Sequence, residues 1–483
     1  MEYVIKNREP ADVLRYFEEI SAIPRGSGNE KAIGEYLLNF AGEHGLEARM
    51  DELYNVVIKK PGSAGCEDLP PVILQGHTDM VCEKNKNVDH DFMKDGIKLV
   101  VDGDILKADG TTLGADNGSA VAYLLAVLAN NDLTHPPLEC VFTSQEEIGL
   151  IGALALDASD LKGKRLINLD CGPEGVCIAG SAGGTTIDIY KDFSKVPAQG
   201  ETVSIKVRGL QGGHSGGDIE KERGNANKIA ARALYNISKE MKVNLISIDG
   251  GSMMNAIPRE CDVVAAVADA GRAAEIVADV ARKVYSELQF SDEGFTMSCE
   301  KIADAAEMIC DADSDSFIKM LYILPTGMVA KSMVLEGLTV ASQNLAAVKT
   351  REDSKLYILY SLRSSVNSFL DDCGDRIDLI CREHGAKPEF RPGFPTWEYT
   401  ATSDLRDLCS KAYKEVTGKD MIIKATHGGL ECGAFLSKIP GLDIAALGCD
   451  ASGAHTPDEQ LDLNSYERMY RVLLKTLAMM CEK

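Results

Sequence analysis

The patterning of the chain predicts an α/β fold interrupted by an inserted α+β domain. Helical segments and short apolar strands alternate from residue 11 to residue 170, strands of in-and-out character take over near residue 187, and α/β character returns after a Pro-rich stretch near residue 400. At 483 residues and 45% apolar side chains, the chain exceeds one ordinary domain, and two domains are the natural expectation.

Taken in order, NVVIKK, PVILQG, LECVFTS and RLINLD read as strands and GSAVAYLLAVLAN as a helix. After Asp170 a Gly/Ala passage, CIAGSAGG, leads into TTIDIYKDF and ETVSIKVRGL, whose alternation suits a half-exposed sheet. RPGFPTWEYT closes this region, and SDLRDLCSKAYKEV and IAALGC resume the α/β pattern. The expected domains are therefore 1–186 plus 400–483, with 187–399 inserted as a separate α+β domain. Two passages inside the insertion resemble each other. GGSMMNAIPRECDVVAAVADA reads as a loop with Asn255 and then a strand, ASQNLAAVKTREDSKLYILYSLRSS as a loop with Asn344 and then a strand, and a helix follows each. Diverged duplication of a unit and chance both account for such likeness.

Composition narrows the function. No apolar run reaches the roughly 18–20 residues of a membrane span, and the start, MEYVIKNREPADVL, lacks the basic-then-apolar order of a signal peptide, so a soluble cytoplasmic protein is expected. Fourteen cysteines are scattered without a C-x-x-C pair, which suits reduced, packed thiols. A formal charge of −23 argues against nucleic acid and anionic membrane surfaces as partners.

Acids and histidines recur where strands end, the place where open α/β sheets bind ligands. In VILQGHTDM, His77 and Asp79 lie two apart and face the same way in extended chain, so Asp79 can accept from one ring nitrogen while the other binds a metal. Asp116 precedes a helix in LGADNGSAVAYLL, Glu146 and Glu147 stand together in TSQEEIGLIGA, Asp170 ends the strand of LINLDCG, and His455 lies in the loop DASGAHTPDEQ. Each has an ordinary explanation: a helix cap for Asp116, dipole-favoured acids in a first helical turn for the glutamates, a turn former for Asp170, loop residues for the histidines. Jointly these explanations are strained, because only eight histidines occur and two of them sit in strand-end loops beside acids. Carboxylates and imidazoles are the ligands of two-metal hydrolytic centres.

HTDM, the GADNG loop, EEIGLIGA, NLDCG and GAHTPDE, in this order and with a domain inserted before the last, resemble the co-catalytic di-zinc exopeptidases, a superfamily of aminoacylases, carboxypeptidases and dipeptidases. The likeness spans essentially the whole chain. It implies a di-zinc exopeptidase catalytic domain with an inserted α+β lid, for which the duplicated unit would be ferredoxin-like. It implies two Zn2+ per chain, with Mn2+ or Co2+ able to substitute: His77 and Asp170 on one ion, Glu147 and His455 on the other, and Asp116 bridging them. Asp79 would orient His77, and Glu146 would be the general base acting on a metal-bridging hydroxide. Within the lid, His214 of GLQGGHSGGDI, Asn255 and Arg363 of YSLRSSV would bind substrate, the first two at the tetrahedral oxyanion and the arginine at a carboxylate. His427 and Glu431 of HGGLECGAF resemble a substrate-side loop without an assignable role. The implied activity is hydrolysis of dipeptides with a free N-terminus, Xaa-His included. Aminoacylase, tripeptidase and carboxypeptidase activities use the same centre, and a peptide-binding relative without activity would have lost a ligand or the base. The implied partner is a small peptide, and a homodimer is left open.

Overall fold

The computed structural model describes residues 3–482. Two compact units make up the chain: one comprises the residues up to Ser181, Trp397–Ala425 and the residues from Leu430 onward, the other Ala182–Thr396 with Thr426–Gly429.

The first unit is built on an eight-stranded sheet. Its centre is four parallel strands, β1 (Val72–His77), β2 (Leu138–Thr143), β3 (Arg165–Asn168) and β4 (Asp443–Ala446), in the order β2-β1-β3-β4. All residues of β1 and β2 are buried, as near-continuous apolar runs in a parallel sheet require. Successive residues serve opposite faces: Val72, Leu74, Leu138, Cys140 and Phe142 join one core, while Ile73, Val141 and Leu166 join another. The first core is filled by Phe17, Leu37, Val121, Leu405 and Leu473 from five helices, and the second by Ala153, Trp397 and Phe435. The helix Ala115–Ala129 is buried nearly throughout, which explains an apolar stretch with no polar face.

The second unit is built on a nine-stranded antiparallel sheet, eight strands of which belong to two βαββαβ halves. The first half runs through the strands Glu201–Arg208, Val243–Gly250, Cys261–Val267 and Thr296–Lys301 and the helices Ala226–Ser238 and Ala270–Leu288. The second uses the strands Gly183–Asp192, Thr339–Thr350, Lys355–Ser364 and Lys387–Phe390 and the helices Asp311–Ile323 and Asn367–Glu383. In both halves the fourth strand lies beside the first and the second beside the third. The halves join where Asp249 and Gly250 pair with Lys349 and Val348. The first half is inserted after the first strand of the second.

Three expectations need correction. The change of unit falls at Ser181/Ala182 and Thr396/Trp397, not at 187 and 399, because CIAGSAGG is itself strand: Val176–Ser181 is fully buried and Gly183 opens the next strand. A Cβ on Gly183 would sit 2.6 Å from Phe394 O and Thr396 N, so this passage is glycine-rich for close backbone approach and not for a linker. Residues 426–429 belong to the second unit, although 400–483 was expected to be uniformly of the first. Asn344 lies inside the strand Thr339–Thr350 and not in a loop; it is 1% exposed, and its amide donates to Ala256 O at 2.8 Å.

All fourteen cysteines are free. Among the described residues, no helix is long and apolar enough to cross a membrane.

Candidate metal centre

The carboxyl ends of the four parallel strands carry the acids and histidines singled out in the sequence. His77 is the last residue of β1, Glu146 and Glu147 follow β2, Asp170 follows β3, and His455 lies in the loop beyond β4. Asp116 joins them from the start of the helix Ala115–Ala129, where φ −81° and ψ 104° interrupt the helical backbone. Its carboxylate turns to the histidines, and the N-cap position of the whole helix is Gly114, at φ +70°.

Asp116 has one oxygen toward each histidine: Oδ1 is 3.1 Å from His77 Nε2, and Oδ2 is 3.4 Å from His455 Nε2. His77 Nε2 also lies 3.6 Å from Asp170 Oδ1, and His455 Nε2 lies 3.0 Å from Glu147 Oε2. The candidate ligand atoms form the trios His77/Asp116/Asp170 and Asp116/Glu147/His455, each within 4.8 Å. A third trio, His77/Glu146/Glu147, meets the same limit and was not anticipated from the sequence.

Asp79, fully buried, organises this end of the sheet. Its carboxylate accepts from Ser27 Oγ at 2.7 Å and from the backbone N–H groups of Glu146 and Glu147 at 3.0 and 3.2 Å. His77 Nδ1 faces two oxygens of Asp79, the backbone carbonyl at 3.1 Å and Oδ1 at 3.3 Å. Donation from Nδ1 leaves the lone pair of Nε2 directed at the acids, the form a metal needs.

The electrostatics show why a cation belongs here. Burial, reinforced by neighbouring acids, pushes Glu146 up to about 9 and Asp170 up to about 6, despite the opposing pull of His77. Asp116 and Glu147 raise His455 to about 10. Burial opposes protonation of His77, but Asp170 and Asp116 outweigh it and hold the ring well above its ordinary value. For Asp116 burial works upward, yet hydrogen bonds from His455 and His77 keep the carboxyl well below the usual range. So many acids in one half-buried cluster cannot all ionise unless positive charge is supplied. Protons supply it in the metal-free chain, and a divalent ion suits the same oxygen and imidazole donors.

In the second unit, His214 pairs with Ala256 across a two-residue ladder, and Asn255 O accepts from Ser215 N at 2.7 Å. The N–H groups of Gly216 and Gly217 both donate to His214 Nδ1, at 3.1 and 3.0 Å, which leaves Nε2 as the proton-bearing nitrogen. Burial and then Arg363 lower the His214 pKa and keep the ring neutral. Arg363 lies 5.8 Å from the Phe394 ring, and among the described residues no carboxylate comes within ion-pairing distance of it. His427 Nε2 is 2.7 Å from Ser342 Oγ, and burial and Arg363 bring its pKa down to about 4.

Residues 73–479 match the peptidase family M20/M25/M40. The chain belongs to that family. It is 36% identical over 472 residues to the cytosol non-specific dipeptidase of Escherichia coli (strain K12), a match covering 97% of each chain. The crystal structure of aminoacylhistidine dipeptidase from Vibrio alginolyticus superposes with a TM-score of 0.92 at 35% identity over 98% of both chains. An aminopeptidase from Bacillus cereus shares the fold, with a TM-score of 0.57 at 15% identity over 98% of both chains.

In this M20/M25/M40 peptidase, Glu431, singled out in the sequence without a role, lies beneath the centre with Gln75 and Asn168, which the sequence reading missed. Glu431 Oε2 accepts from Gln75 Nε2 at 2.5 Å and Thr143 Oγ1 at 2.7 Å, Asn168 Nδ2 donates to Gln75 Oε1 at 2.6 Å, and Asn168 Oδ1 accepts from Asp170 N at 3.2 Å. Burial pushes Glu431 up to about 7. Gln75 and Asn168 sit in apolar strands, where single polar residues read as interruptions; the alternation that placed His77 at a strand end could have placed them beneath it.

Proposed function

We propose that this peptidase is a metal-dependent dipeptidase that hydrolyses unblocked dipeptides, Xaa-His among them, with two zinc ions per chain. The observation that carries the two-metal reading is the division of Asp116, whose two oxygens face separate histidines and separate acid partners. His77 and Asp170 would hold one ion and Glu147 and His455 the other, with Asp116 common to both. Bound ions supply Lewis acidity, lowering the pKa of water and polarising the scissile carbonyl. The names of the two relatives matched over nearly their whole length support the substrate class, and the cytosol of the first name is the compartment we propose here.

The remaining chemistry belongs to the chain. Glu146 takes a proton from the attacking water as its oxygen bonds to the carbonyl carbon, then gives that proton to the amine nitrogen as the C–N bond breaks. Asp79 fixes the two glutamates through their backbone N–H groups and fixes His77 through Nδ1. In the second unit, His214 through its Nε2–H, Asn255 through its amide and Arg363, which meets no carboxylate among the described residues, would bind substrate. The shared strand order of the two halves supports duplication of a ferredoxin-like unit.

Turnover of one dipeptide, its N-acetyl form, its amide and a matching tripeptide tests this reading. Cleavage of the dipeptide well above the other three is expected. Preference for the N-acetyl form would indicate an aminoacylase, preference for the tripeptide a tripeptidase, and equal turnover of acid and amide would remove the role given to Arg363.

A further inference from the structure

The chain has a buried cation and a buried anion beside the centre that the reading above leaves unused. Arg25 is 2% exposed, and Glu459 is also 2% exposed. They meet at Gly114, Glu459 at its N–H and Arg25 at its carbonyl. Glu459 Oε2 accepts from the N–H groups of Leu113 and Gly114 at 2.7 and 2.9 Å, and its Oε1 accepts from Asp116 N at 3.1 Å. Arg25 Nη2 donates to Gly114 O at 2.5 Å, and its Nη1 donates to Thr78 O at 3.0 Å.

These bonds join the loops that carry metal-centre residues. Arg25 ties the Asp116 loop to the segment following His77, while Glu459 ties it to the loop that holds His455, four positions before it. The contacts also account for the glycines of GADNG. A Cβ on Gly114 or Gly118 would sit 2.5 or 2.6 Å from the Arg25 guanidinium, so both positions exclude a side chain where the cation is seated. Burying a full guanidinium and a full carboxylate is costly unless each is bonded, and here their partners are backbone groups of the loops themselves.

We propose that Arg25 and Glu459 are positioning residues of the metal centre: they hold the Asp116 carboxylate in register with His77 on one side and His455 on the other. The inference rests on the two-metal reading. It concerns neither ligands nor the base; both residues act through Asp116, as hydrogen-bonding partners behind metal ligands do elsewhere.

Cobalt(II) titration of the chelator-treated full chain, followed by visible absorption, tests it without using turnover. Wild type should take up two equivalents. Glu459→Gln keeps the size of the side chain but sets an NH2 donor against backbone N–H groups, and Arg25→Lys keeps the charge but loses the fork that reaches two carbonyls. Each should weaken cobalt binding by about 10–100-fold and alter the absorption band. Should Arg25→Lys not fold, Glu459→Gln decides the matter, because both residues bond the backbone of Gly114, two positions before Asp116. Variants that melt lower but bind two cobalt ions with wild-type affinity and spectrum would make these residues merely structural and overturn the inference. A wild-type chain that takes up fewer than two equivalents would overturn the two-metal reading first, and the inference with it.

Discussion

Glu146 and Glu147 are neighbours in sequence with their backbone N–H groups on the same Asp79 carboxylate, yet only Glu147 meets His455. The proposed division of labour follows from that asymmetry. Glu146→Ala should lower turnover by roughly 100-fold or more while both metals are retained, whereas Glu147→Ala should leave one metal site depleted. Elemental analysis beside initial rates separates the two, and equal metal content in both variants would contradict the division. The same residues set a pH dependence. Without metal, burial holds Glu146 up at about 9 and Asp170 at about 6, and Asp116 and Glu147 hold His455 up at about 10. A group whose pKa is raised by folding stabilises below its unfolded value and loses that contribution as pH climbs to the folded one. For His455 the window runs from roughly 6.5 to about 10; Glu146 and Asp170 act in the same sense from lower pH. Asp116 is shifted the other way, but its window lies in acid. The metal-free chain should therefore melt at progressively lower temperature from pH 6 to pH 10, while the metal-loaded chain should be far less sensitive because ions replace those protons. A flat or rising metal-free profile would contradict these shifts. The candidate acids and histidines were legible because they sit at strand ends, at a helix start or in a loop within short polar motifs. Arg25 and Glu459 were not, since a lone arginine in IPRGSG and an acid in PDEQ look like solvated loop residues.

At the scale of elements, the turn after β2 differs from its sequence reading. EEIGLIGA suggests acids in the first turn of a helix, but the helix is the short Ile151–Ala155 segment and the glutamates lie ahead of it. The turn is closed by its own backbone and by Asn55: Gly152 N donates to Ser144 O at 3.1 Å, Asn55 Nδ2 donates to Gly152 O at 3.1 Å, and Asn55 Oδ1 accepts from Ser144 N at 3.0 Å. A Cβ on Gly152 would stand 2.2 Å from Ser144 O. Gly152→Ala should thus open the turn, costing about 1–3 kcal/mol of stability and displacing both glutamates. Denaturant unfolding checks this, and a variant as stable as wild type would show that the turn relaxes at no cost. A glycine at a helix start gives no hint of this in sequence, because its reason is a neighbouring carbonyl and a distant asparagine. The strand Thr339–Thr350 misleads for a related reason: Ser342, Gln343 and Asn344 look like loop composition, yet all three are buried and bonded to His427, Tyr360 and Ala256.

For the whole molecule, hydrophobic periodicity was enough to show an interrupted α/β chain, while the junction at 181/182 was hidden between two Gly-rich strands and that at 396/397 in a Pro-rich stretch held by isolated bridges. We propose that one carboxylate, Asp116, lets this M20/M25/M40 chain work with two metals on dipeptides. The most direct test is a titration of the chelator-treated chain with zinc, with dipeptide hydrolysis followed at each addition. No turnover is expected without metal, incomplete turnover at one equivalent per chain and full turnover only at two. Full activity at one equivalent, or hydrolysis by a chain shown to hold no metal, would contradict the proposal.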